Sequence, residues 1–153
     1  MSHWHETYRV PATITLGEGT SIEGDIHLQP STQMHQGRET PLDLLNRPER
    51  FLAVSLPSGD ATLVCKAQIA VVTTDAGLSE MDPERLAISR KFVLDVHMVG
   101  GQRLSGSAYW ELPPTHPRPQ DFLNEADGFF EITEGGDTHC INRALVVQVN
   151  PAE

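Results

Sequence analysis

Ala12-Thr13-Ile14-Thr15-Leu16-Gly17-Glu18-Gly19, followed by Ile22-Glu23-Gly24-Asp25-Ile26-His27-Leu28, alternates apolar and polar side chains on either side of a glycine-bearing turn. Successive side chains of a strand face opposite sides, so this period of two predicts a half-buried β-hairpin. Gly24 sits in the middle of the second strand, where glycine weakens a ladder unless the strand bends sharply or another backbone comes close. Strong bending is what a small barrel requires.

The same hairpin is written again further along. Leu94, Val96 and Met98 alternate up to Gly100-Gly101, and Leu104, Gly106, Ala108 and Trp110 continue on the other side. Beyond the hairpins, Gly24-Asp25-Ile26-His27-Leu28 corresponds to Gly106-Ser107-Ala108-Tyr109-Trp110, and Pro41-Leu42-Asp43-Leu44-Leu45-Asn46 to Pro119-Gln120-Asp121-Phe122-Leu123-Asn124. Val64-Cys65-Lys66-Ala67 corresponds to Ile141-Asn142-Arg143-Ala144, and Phe51, Leu63 and Val72 to Phe129, Cys140 and Val149. Three ordered blocks with Gly, Pro, Asp and Asn in step predict an internal duplication. The modules are expected at residues 8–74 and 91–150, joined by a linker over 75–90 in which Asp82-Pro83 starts a short helix over 79–88. A lone module of this size buries only about 60% of its unfolded surface, so the two should share apolar surface.

Within each module the hairpin is followed by a polar loop and a short helix. Thr40-Pro41-Leu42-Asp43 reads as an N-cap, a proline in the first turn and a carboxylate at the positive helix end. Asn46 and Asn124 are expected to end these helices in left-handed geometry. Three further strands follow, over 51–56, 62–66 and 69–72, with counterparts at 129–133, 139–143 and 145–149. The fold class is therefore mainly β: two tandem five-stranded SH3-like barrels, each with a helix inserted between its second and third strands, packed as a pseudo-symmetric unit.

An antiparallel hairpin with x-Gly-x in its second strand, a third strand, and a fourth ending in an apolar-x-Lys-Ala-x-Ile turn resembles the Sm-like barrels, the family that includes bacterial RNA chaperones of the Hfq type. In that family the turn between the fourth and fifth strands carries a basic residue, usually followed in Hfq by His, and contributes to a uridine pocket on a ring of subunits. The resemblance implies that Lys66 and Arg143 are the binding residues here, with Ala67 and Ala144 where the Hfq pattern has its histidine. If the modules pair as Sm-like subunits do, three chains close a ring of six barrels, whereas edge-to-edge packing within the chain alone leaves a monomer or dimer. The inserted helix, the Phe-Leu strand and the apolar-Asn-Arg turn look like a group of bacterial proteins from which no activity carries over, and imply a bacterial origin.

The chain holds 11 Lys and Arg against 21 Asp and Glu, a net charge of −10, and the deficit falls in both halves. Such a field repels phosphate backbones and anionic lipid. No apolar run approaches the ~20 residues that span a bilayer, and the first residues lack a basic segment followed by an apolar one, so a soluble, cytoplasmic chain is expected. Cys65 and Cys140 do not occupy equivalent positions and read as two buried reduced thiols. His3 and His5 lie at a terminus, His139 and Cys140 point to opposite faces, and His27, His35, His97 and His116 form no metal-ligand spacing. No G-x-S-x-G elbow, phosphate-binding loop or H-E-x-x-H occurs. Neither cofactor, metal nor catalytic residue is therefore assigned.

The leading expectation is a non-catalytic adaptor or regulatory protein acting through protein contacts, homo-oligomers included, since barrel edges can pair with another chain. The second is an RNA-binding protein using Lys66 and Arg143, and the third an enzyme whose site the sequence hides; neither DNA nor membrane is expected as a partner.

Overall fold

The computed structural model describes residues 7–30, 37–75, 87, 89–110, 118–125 and 128–152. Except for Ala87, the stretch in which a connecting helix is expected lies outside the described residues, as do His3, His5, His35 and His116. Among the described residues the order is β1 (Tyr8–Leu16), β2 (Ser21–Leu28), α1 (Pro41–Leu45), β3 (Phe51–Ser55), β4 (Ala61–Cys65) and β5 (Ile69–Asp75). The same order then returns as β6 (Arg90–Met98), β7 (Arg103–Trp110), α2 (Pro119–Leu123), β8 (Phe129–Glu134), β9 (Asp137–Asn142) and β10 (Val146–Ala152). The protein is mainly β, with ten strands in one antiparallel sheet ordered β10-β6-β7-β8-β9-β5-β1-β2-β3-β4. That sheet is open, with β10 and β4 at its two ends. No ladder joins the ends of either half to close a barrel among the described residues.

Alternation in the sequence becomes alternation in burial. Val10, Ala12 and Ile14 of β1 and Phe92, Leu94, Val96 and Met98 of β6 are buried, each large side chain contributing about 1.5–3 kcal/mol. Both hairpin turns close alike: Leu16 N–H donates to Thr20 O at 2.8 Å and Met98 N–H to Gln102 O at 2.8 Å. Gly19 and Gly101 supply the positive φ those turns need, 104° and 91°.

Gly24 and Gly106 meet the second condition set by the sequence, close approach of another backbone. β2 and β3 pair only at Asp25 with Ser55, and β7 and β8 only at Ser107 with Thr133, so the strands touch and part. A Cβ on Gly24 would lie 2.7 Å from Ser55 O, and one on Gly106 2.5 Å from Thr133 O.

α1 begins as its sequence specifies. Asp43 N–H donates to Thr40 Oγ1 at 3.2 Å while Thr40 N–H donates to Asp43 Oδ2 at 2.9 Å, a reciprocal cap. α2 keeps one half of this: Arg118 N–H donates to Asp121 Oδ2 at 3.2 Å, and the Arg118 guanidinium grips the same carboxylate through Nε and Nη2, both at 3.0 Å. Arginine has no acceptor with which to complete the cap. Asn46 and Asn124 differ from expectation, because φ is −90° and −88° and neither is left-handed. Of the two free thiols, Cys140 is buried but Cys65 only half-buried, since β4 has no neighbour on one side.

Two apolar clusters fill the molecule, and each borrows from the other half. The first, from β1 to β5 and α1, includes Phe129 and Cys140; the second, from β6 to β10 and α2, includes Ala70 and Val71. The exchange happens where β5 and β9 pair, with Val71 opposite Ile141, Val72 opposite Cys140 and Thr73 opposite His139.

Candidate functional site

Lys66 and Arg143 each begin a 3-10 turn, Lys66–Gln68 between β4 and β5 and Arg143–Leu145 between β9 and β10. Lys66 is buried, and its Nζ donates to Leu44 O at 2.8 Å and Arg47 O at 3.2 Å. These carbonyls belong to the end of α1 and the residues after it, where a helix leaves acceptors without intrahelical partners. Desolvation is the largest influence on this ammonium and lowers its pKa from the ordinary 10.5, with Glu49 and Glu39 opposing and Arg47 assisting. Arg143 repeats the arrangement one module later: Nη2 donates to Phe122 O in α2 and Nη1 to Phe129 O, both at 3.4 Å. Its guanidinium lies 5.6 Å from the Phe122 ring centre and 5.1 Å from that of Phe130. The two basic turns are thus related by position and by bonding, each tying a helix end to the start of the last strand.

Beside Lys66, Glu39 is buried with both oxygens engaged. Oε1 accepts from Gln29 N–H at 3.1 Å, and Oε2 lies 3.3 Å from Arg47 Nη1. α1 is therefore held at its start by Thr40 and Asp43, and at its end by Lys66.

The described histidines pair locally. His27 Nε2 lies 2.8 Å from Ser55 Oγ, His97 Nε2 3.4 Å from Asp95 Oδ2, and His139 lies 2.9 Å from Thr73 Oγ1 and 3.4 Å from Glu134 Oε1. Among the described residues no three His, Cys, Asp or Glu side chains gather into a metal-holding group, and no helix is long and apolar enough to cross a membrane. A groove beside β1 and β5 is lined by Glu23, Asp25, Asp75 and Asp137, an acidic wall that suits no phosphate. Trp110 joins Phe92, Phe122 and Phe130 in a chain of ring contacts with centres 5.8–6.5 Å apart, so the aromatic mass of the second half is largely core.

Asn46 has a role the sequence did not disclose. Its Oδ1 accepts from Phe129 N–H at 2.7 Å and its Nδ2 donates to Phe129 O at 3.1 Å, across 83 residues of chain. Asn142 bridges in the other direction, Nδ2 donating to Ile69 O at 2.9 Å. Both asparagines are exposed as residues, but the side chain of the matching Asn124 makes no hydrogen bond among the described residues. Asn46→Ala should therefore lower the unfolding free energy by about 1–3 kcal/mol, the cost of leaving the N–H of the buried Phe129 unpaired, and Asn124→Ala by no more than about 0.5 kcal/mol. Urea unfolding of the two variants checks the contrast.

The surface feature left over is the pair of sheet ends. Among the described residues β4 (Ala-Thr-Leu-Val-Cys) and β10 (Val-Val-Gln-Val-Asn-Pro-Ala) pair on one side only; they carry no charged residue and expose Leu63 and Val147. Compared with family models, curated proteins and solved structures, the chain matches none.

Proposed function

We propose that this chain is a non-catalytic adaptor or regulatory protein, built as two tandem Sm-like small barrels, that acts through strand-edge contacts with protein partners. The observation that carries this reading is that β4 and β10 are uncharged edges with exposed apolar side chains. Soluble proteins guard such edges with charge, because unpaired N–H and C=O groups recruit another strand. An edge without guarding charge is a surface fitted to a partner, with main-chain bonds giving affinity and alternate side chains giving selectivity. Two matching turns, at Lys66 and Arg143, support the barrel reading, since each fixes the passage from the fourth strand of its half to the fifth.

The test is capture from the native cell with the whole chain as bait, comparing the wild type with Leu63→Lys, Val147→Lys and the surface control Lys91→Ala. Partners held by the wild type and the control should be lost with one or both edge variants. Capture indifferent to both edges overturns the proposal. Uridine-rich or adenine-rich oligomers that bind at ~50 mM salt and are released by Arg143→Ala would put RNA binding in its place.

A further inference from the structure

β5 and β9 are interior strands only because they meet each other, whereas β10 and β4, which hold the matching places in the opposite halves, each keep one side unpaired among the described residues. The positions correspond residue by residue, Val72 with Val149 and Ile141 with Val64. Even the irregularity in the ladder is shared: β5 shifts register against β1 at Ala70, and β10 against β6 at Val147. The β10 edge is thus a copy of the β5 edge, and the β4 edge a copy of the β9 edge.

Burial shows what each copy lacks. Leu63 is 68% exposed where its counterpart Cys140 is 0%, Val147 is 65% where Ala70 is 1%, and Phe51 is 55% where Phe129 is 6%. In every pair the seam residue is covered by the other half and the edge residue is bare. Pro151 is the one guarding residue on either edge.

We infer that β10 of one chain pairs antiparallel with β4 of a second copy, repeating the register of β5 on β9. Gln148, Val149 and Asn150 then lie opposite Val64, Leu63 and Thr62 of the next copy, as Val71, Val72 and Thr73 lie opposite Ile141, Cys140 and His139. The Asn46 bond is not repeated by Asn124, because Arg50 stands where the seam has Gly128, and a Cβ there would lie 2.5 Å from the asparagine oxygen. The contact is heterologous, joining two different surfaces. It is also weaker than the seam: Cys65 stands where Asn142 bonds Ile69 O, and Pro151 has no N–H to give. Association is therefore reversible and depends on concentration. The inference rests on reading the edges as contact surfaces and names a second copy as the occupant.

Sedimentation velocity and light scattering of the purified full chain over ~1–200 μM test this. The mass should rise above 16.9 kDa with concentration. Leu63→Lys and Val147→Lys, each retaining one intact edge, should stay monomeric alone and form a one-to-one heterodimer when mixed. Circular dichroism and melting curves of both lysine variants confirm that they fold. A constant mass of 16.9 kDa for the wild type overturns the inference, as does self-association of either lysine variant alone or failure of the mixture to pair. A monomeric wild type whose edge variants lose a different protein in the capture experiment would leave the proposed function standing and remove only the second copy.

Discussion

Gly106→Ala is expected to lower the unfolding free energy by about 3 kcal/mol, and Gly106→Val by more, whereas Gly136→Ala changes it by less than about 0.5 kcal/mol. The added Cβ at Gly106 falls 2.5 Å from Thr133 O, 3.0 Å from Thr133 C and 3.3 Å from Ile132 Cβ. Two of these atoms are backbone, and the third belongs to a fully buried side chain, so no rotamer change relieves the overlap. Relief requires β7 and β8 to separate at Ser107–Thr133, their one paired position, which lets water into the space beneath Ile132. For a chain of this length a loss of about 3 kcal/mol lowers Tm by about 6–12 °C. At Gly136 nothing lies within 4 Å, so the comparison separates steric overlap from the general effect of replacing glycine. Gly24→Ala should behave like Gly106→Ala, since Ser55 O and Val54 Cγ1 both lie 2.7 Å from the new atom. Urea unfolding followed by far-ultraviolet circular dichroism reads all four variants. A Gly106→Ala protein as stable as the wild type would mean that the strands part there at little cost.

Those glycines show how far local sequence reaches. Period-two alternation identifies the hairpins because strand side chains obey it whatever they pack against, and Gly24 and Gly106 break it at positions that only a bend or a close approach explains. Thr40-Pro41-Leu42-Asp43 is equally legible, since every group in that cap lies within three residues of its partner. Legibility ends where partners are remote. Pairing of β5 with β9 joins Val71 to Ile141, and nothing in either segment names the other; alternation gives the faces of a strand but not its neighbours. Asn46 reads locally as a helix terminator, yet its amide serves a backbone 83 residues away. Lys66 reads as a turn cation available to a ligand because the helix end that surrounds it is placed by packing. A signal was present all the same: a cation recurs at the matching turn of both modules, and each module holds one short helix whose last carbonyls need donors. Reading the recurrent cation with the recurrent helix, instead of with an external ligand, would have predicted the brace.

Lys66→Met should therefore destabilise the fold by about 2–4 kcal/mol, because Leu44 O and Arg47 O lose a charged donor in a buried place. Arg143→Met should cost less, about 1–2 kcal/mol, since its bonds are longer and its site only partly buried. A side chain whose work is to receive an external base would show the opposite pattern, with stability unchanged and binding lost. The pH dependence separates the two roles further. Burial lowers the pKa of Lys66 below 10.5, so between that lowered value and 10.5 the native chain binds fewer protons at this site than the unfolded chain. The contribution of the group to stability is complete above 10.5 and declines as pH falls through the lowered value, so unfolding free energy rises with pH across that window. Lys66→Met removes that rise, and the difference between wild-type and variant curves cancels every other group that titrates there. A wild-type and variant pair whose curves run parallel would mean that the ammonium is solvated in the folded chain, free for a ligand and without a part in holding α1.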